Sequence, residues 1–75
     1  MVRERLIKEN NLEVMKWDYI NLYDAGNGCI GEFNFWSNNR ARSKANKKDA
    51  RDEMKLRFGR RYEIIDIYLF EEGRV

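Results

Sequence analysis

Residues 12–36 read LEVMKWDYINLYDAGNGCIGEFNFW, and their reading decides the fold. Two runs rich in aromatic and β-branched residues flank Ala25, Gly26, Asn27 and Gly28. An Asn-Gly pair in that setting is the strongest short-range hairpin signal, because both central residues of a type I′ turn need positive φ. A β-hairpin over residues 12–36 is therefore expected. A loop of even length places Ile20, Leu22, Phe33 and Phe35 on one face. The other face then gathers Trp17, Tyr19, Asn21 and Tyr23 with Ile30, Glu32, Asn34 and Trp36. An odd count would turn every side chain over.

Beyond the hairpin, residues 37–46 are polar and basic and read as a loop or the start of a helix. Residues 47–58 carry Ala50, Met54 and Phe58 at helical spacing, the stripe of a helix packed on a sheet. Asn46 and Asp49 resemble a capping pair, Asp49, Asp52 and Glu53 suit the positive end of the helix dipole, and Gly59 suits a left-handed stop. Residues 62–70 form a third strand, with Ile65, Ile67 and Leu69 facing one way and Ile64, Asp66, Tyr68 and Phe70 the other. Residues 1–11 read as a short marginal helix or a tail, and residues 71–75 as a polar tail.

A right-handed crossover sets the third strand parallel to the second and antiparallel to the first. The expected fold is a small α+β domain of ββαβ type. Its three-stranded antiparallel sheet has the order 2-1-3, with one main helix on one face and a short helix in front. The expected core is Ile20, Leu22, Phe33, Phe35, Ala50, Met54, Phe58, Ile65, Ile67 and Leu69.

Seventy-five residues correspond to one domain, near the lower end of what a single core supports. One cysteine, Cys29, and no histidine argue against a disulfide scaffold and for a reducing cytoplasm. No long apolar run predicts a membrane span, and residues 1–5 lack the apolar stretch of a signal peptide. The absence of proline and the many asparagines fit an AT-rich bacterial or phage gene. Catalysis is not expected: histidine is missing, Cys29 has no evident activating base, and the glycines at 26 and 28 form a turn followed by a strand rather than a phosphate loop. No metal or cofactor is expected.

Charge is polarised along the chain. Residues 40–61 hold ten Lys and Arg against three acids, whereas the remainder holds five basic and ten acidic side chains. The basic stretch is expected to meet phosphates through Arg40, Arg42, Lys44, Lys47, Lys48, Arg51, Arg60 and Arg61. The second sheet face is expected to expose Trp17, Tyr19, Tyr23, Trp36, Tyr68 and Phe70 as a protein or homodimer interface. The leading expectation is a homodimeric nucleic-acid-binding accessory protein. Its rival is a protein-binding regulator or inhibitor, of the kind phages and mobile elements encode, acting through the aromatic face or a sheet edge.

Overall fold

Asn27 and Gly28 form the turn with φ of 54° and 76°, and Gly26 before them is also left-handed at 95°. The computed structural model describes residues 3–9 and 12–70. The turn joins β2 (Leu12–Gly26) to β3 (Cys29–Ser37). Gly26 pairs with Cys29, but the next pair is Asp24 with Ile30, so Ala25 is an extra residue on β2. The Asp24 carboxylate steadies this bulge by accepting the Gly26 N–H at 2.8 Å. Beyond it the register runs Tyr23–Gly31, Asn21–Phe33, Tyr19–Phe35 and Trp17–Ser37. The expected two faces are thereby corrected: one bulged residue turns β2 over relative to β3. Tyr19 and Tyr23 share a face with Phe33 and Phe35, and Ile20 and Leu22 lie on the opposite one.

The expected helix at the N-terminus is also corrected, because β1 (Glu4–Glu9) is a strand antiparallel to β2. The reason lies in backbone pairing. β3 reaches along β2 only as far as Trp17, so residues 12–16 would carry unpaired peptide groups without a second partner. β1 supplies that partner, whereas six residues alone are too few for a stable helix. The expected end of that element at Asn10 and Asn11, and the expected tail at 71–75, lie outside the described residues.

β4 (Glu63–Leu69) pairs antiparallel with β2 from Tyr19 to Asp24. The sheet thus has four strands rather than three. The expected order 2-1-3 gives way to β1-β2-β3, with β4 also paired to β2. β1 and β4 take successive stretches of β2, and they meet at Asp18. Its N–H donates to the Arg3 carbonyl at 2.9 Å, and its carbonyl accepts the Phe70 N–H at 2.8 Å. The Asp18 side chain is fully buried at this seam. One oxygen lies 3.2 Å from Arg3 Nη2, and the other accepts the Asn34 amide at 3.2 Å. Arg3 also lies over the Phe70 ring, 4.3 Å from its centroid.

The helix α1 (Lys44–Phe58) starts one turn before the expected residue 47, because Ser43 and not Asn46 caps it. Ser43 Oγ accepts the Asn46 N–H at 3.1 Å, and Asn46 Oδ1 accepts the Arg42 N–H at 3.1 Å. This is a reciprocal cap shifted one residue outward from the usual box. Gly59 closes the helix at φ 74°, its N–H donating to the Lys55 carbonyl.

Asn46, Ala50 and Met54 form the buried stripe of α1. They meet a core of Tyr19, Tyr23, Phe33, Phe35 and Ile67, with Trp17, Ala41, Tyr62, Ile64 and Leu69 packed at its margin. A second bulge, between Leu22 and Tyr23, leaves Ile65 as the extra residue on β4. Ile64 consequently takes the core position expected of Ile65, which is 50% exposed. Asn21 is fully buried between these aromatics, and among the described residues neither polar atom of its amide has a hydrogen-bond partner. An unmet group of this kind costs about 1–3 kcal/mol.

Gly31 provides a test of the register. A Cβ there would fall inside the van der Waals envelope of the phenol end of the Tyr23 ring. Gly31→Ala should therefore destabilise the protein by roughly 1–3 kcal/mol in urea unfolding, although alanine usually suits a strand better than glycine. An unchanged midpoint would contradict this pairing.

Candidate nucleic-acid interface

Residues 37–43 connect β3 to α1, and a buried polar network holds them in place. Ser37 Oγ donates to Asp49 Oδ2 at 2.6 Å, and the Asn39 amide donates to the same oxygen at 2.8 Å. The Asn39 N–H donates to Ser37 Oγ at 3.0 Å. The Asn39 carbonyl accepts from the Tyr19 hydroxyl at 2.9 Å and from the Asn46 amide at 3.3 Å. Asn46, inside the basic run of the sequence, is thus a core residue. Arg42 adopts φ 66°, unusual for a side chain of its size. The loop is tied down from both sides, so Arg40 projects from a rigid support.

The expected phosphate-contacting residues divide into two groups. Arg40 is exposed on the loop. Lys44, Lys48 and Arg51 follow on the sides of α1 turned away from its buried stripe, whereas the half-buried Lys47 flanks that stripe and lines a hollow with Arg42, Ile64 and Asp66. Among the described residues, no carboxylate lies within ion-pair distance of Arg40, Lys44, Lys47 or Arg51. Lys48 is bound to Asp52 at 2.8 Å, which raises its pKa and lowers that of Asp52. Arg60 is not brought to this cluster, and Arg61 reaches only its Lys48 margin, through Asp52. They lie past the far end of α1, about 20 Å along its axis. There Arg60 stacks over Tyr62 at 4.9 Å, and Arg61 approaches Asp52 at 3.9 Å.

Asp49 and Glu53 face the β3 side of the helix. Asp49 serves the loop network, and Glu53 holds Arg57 at 2.7 Å. Arg57 in turn donates to the Asn34 carbonyl at 2.9 Å and covers part of β3's outer edge. With the helix starting at Lys44, its first turn contains no acid. The expectation that the acids sit at the positive end of the dipole is corrected accordingly: cations occupy that end.

The expected cluster of six aromatics is divided between the two faces. Tyr19 and Tyr23 are buried under the helix, and Trp17 packs at the core margin on the same side. Trp36, Tyr68 and Phe70 remain half-buried on the open face, where Arg5 lies 5.1 Å from the Trp36 ring centroid.

This regrouping creates a cleft of about 320 Å³ beside the start of the helix, lined by Trp17, Tyr19, Asn38, Asn39, Arg40 and Leu69. A second concavity, formed by residues 40–43, shares Arg40 with it. Asn38, Asn39 and Leu69 were not among the expected site residues. The odd residue count of the 24–30 turn is the signal that would have placed Trp17 beside them.

Arg42 is engaged elsewhere. Its Nε donates to Asp66 Oδ1 at 2.7 Å, and Nη2 approaches Oδ2 at 3.4 Å. The Arg42 hydrogen bond holds the Asp66 carboxyl below the usual carboxylate range. Partial burial opposes this, and the Ile67 N–H assists it. The sign follows: stability from this pair is fully present above the unfolded carboxylate value of about 3.9 and is lost as pH falls through the depressed folded value. Both side chains are substantially exposed, so the contribution is small. An NMR titration of the Asp66 carboxyl carbon should give a midpoint below the ordinary value, and Arg42→Gln should move it upward. An identical midpoint in the variant would contradict the pairing.

No protein-family model, curated protein or solved structure gives a significant match to this chain.

Proposed function

We propose that this protein binds nucleic acid without catalysing a reaction on it. Phosphates would be gripped by Arg40, Lys44, Lys47, Lys48 and Arg51 around the first turns of α1. One observation carries the reading. Three lysines fall within the first five residues of the helix, where the macrodipole favours anions and disfavours cations. Three cations at the positive end of a helix weaken the helix and strengthen the local positive potential. That arrangement suits an anionic ligand, and backbone N–H groups at the same end add to the attraction.

The chemistry is that of sequence-independent phosphate contact. Arg40 and Arg51 can engage phosphate oxygens with two donors, and the lysines act as point charges. Asp52 holds Lys48 in the free protein, so binding there exchanges one partner for another. Arg42, Arg60 and Arg61 have lesser parts, being already engaged.

A protein-contact reading has one observation of its own. Leu6 and Met15 face each other across β1 and β2, 54% and 42% exposed, on the same face of the sheet as Trp17. Self-association through this pair, with the nucleic acid held elsewhere, is compatible with the main reading, and light scattering measures it.

Lys44→Glu combined with Lys47→Glu separates function from stability. Carboxylates at the first helical turn should raise the melting temperature by a few degrees. The same change should abolish binding of a fluorescent oligonucleotide at low salt. In single Lys→Ala variants, each lost contact should flatten the slope of log K against log salt by roughly 0.7–0.9. A charge-reversed protein that binds as tightly as the wild type would overturn the proposal.

A further inference from the structure

Resting on that reading, we infer that the cleft between Trp17 and Leu69 receives an unpaired nucleobase, so that the ligand is single-stranded nucleic acid. The argument begins with the cleft's walls. Trp17, Tyr19 and Leu69 make an apolar floor, and Asn38, Asn39 and Arg40 form a polar rim. Among the described residues no carboxylate lines it. Its volume of about 320 Å³ is at the small end of ligand pockets, which run about 300–1,000 Å³. One ring system suits it better than an extended ligand.

The polar groups are differentiated. Asn39 is held inward: its side-chain amide donates to Asp49, and its main-chain carbonyl accepts from Tyr19 and Asn46. Asn38 is exposed, and no hydrogen bond within the described residues occupies its amide. That amide carries both donors and an acceptor, the combination that reads the edge of a base. Arg40 lies between the cleft and the concavity of residues 40–43 that leads to Lys44. A strand whose base stacks on Trp17 would therefore have its phosphate at Arg40 and its next phosphates over the first turn of α1. A duplex cannot offer this, because its bases are stacked within the helix and present only their edges, never a free face.

Charge complementarity decides the occupant. The rim is cationic and joined to the cation-rich start of the helix, whereas Glu32 and Asp24 lie on the open face of the sheet. An apolar or acidic peptide would fill the floor but leave the base-reading amide and the row of cations without complementary partners.

The test uses the Trp36→Phe protein, in which Trp17 is the sole tryptophan and the substitution lies on the opposite face. An unlabelled mixed-sequence single strand, as DNA and as RNA, and the duplex of the same sequence are titrated while Trp17 emission is followed. The expected result is quenching by the single strand only, with the single strand bound more tightly than the duplex. Trp17→Ala should weaken single-strand binding by about 5- to 150-fold and leave duplex binding unchanged. Asn38→Ala should weaken the single strand less, and it guards against misfolding of the tryptophan variant because Asn38 is exposed. Equal affinity for strand and duplex, with unquenched Trp17, would overturn this inference while leaving phosphate contact intact. Absence of binding to either at low salt would overturn both.

Discussion

One extra residue at Ala25 organises much of this molecule. Three successive left-handed residues, Gly26, Asn27 and Gly28, turn the chain, and the Asp24 carboxylate holds the bulge that precedes them. The bulge shifts β2 by one position against β3, which determines the side of the sheet to which every β2 side chain points. Tyr19 and Tyr23 go to the helix. There Tyr19 stacks with Phe35 at 5.7 Å, and Tyr23 stacks with Tyr62 at 5.3 Å. The same shift leads Trp17 out at the end of the helix, beside the loop that carries Arg40. The aromatic and cationic features of the sequence, which the even register would set on opposite faces, become neighbours.

Polar contacts then hold what the bulge has brought together. The core is small, and it contains the amides of Asn21 and Asn46 as well as Ser37. Asn46 and Ser37 are spent on the loop. They connect it to Asp49 on the helix and, through the Asn39 carbonyl, to Tyr19 on the sheet. Networks of this kind add specificity more than stability, because each member is costly when left unpaired. The lysines at the helix start follow a similar pattern, since they sit where acids would stabilise the fold more. Departures from local preference of this sort concentrate at functional sites.

The α+β character, the turn at Asn27 and Gly28, and the stripe of Ala50 and Met54 were legible from periodicity and turn chemistry alone. Two features were not. The bulge at Ala25 changes a parity without changing any hydrophobic pattern, because both β2 faces are rich in aromatic or aliphatic residues and either could serve as core. β1 was hidden for a related reason: Leu6 and Ile7 are adjacent, which suits neither a clean helix nor a clean strand, and only the unpaired length of β2 decides between them. The basic run was plain in the sequence. Its division into free cations at Lys44, Lys47 and Arg51 and engaged ones at Arg42 and Arg57 required the positions of Asp66 and Glu53.

The central claim is that Trp17, Tyr19 and Tyr23 share the helix-covered face with Phe33 and Phe35. Nuclear Overhauser contacts in the free protein test it most directly. The account predicts contacts between the Tyr19 and Phe35 rings, and between the Tyr23 ring and Gly31 Hα, the latter shifted upfield by the ring above it. Contacts from the Ile20 and Leu22 methyls to the Phe33 and Phe35 rings, with Gly31 Hα at an ordinary shift, would contradict it and would separate Trp17 from the basic loop.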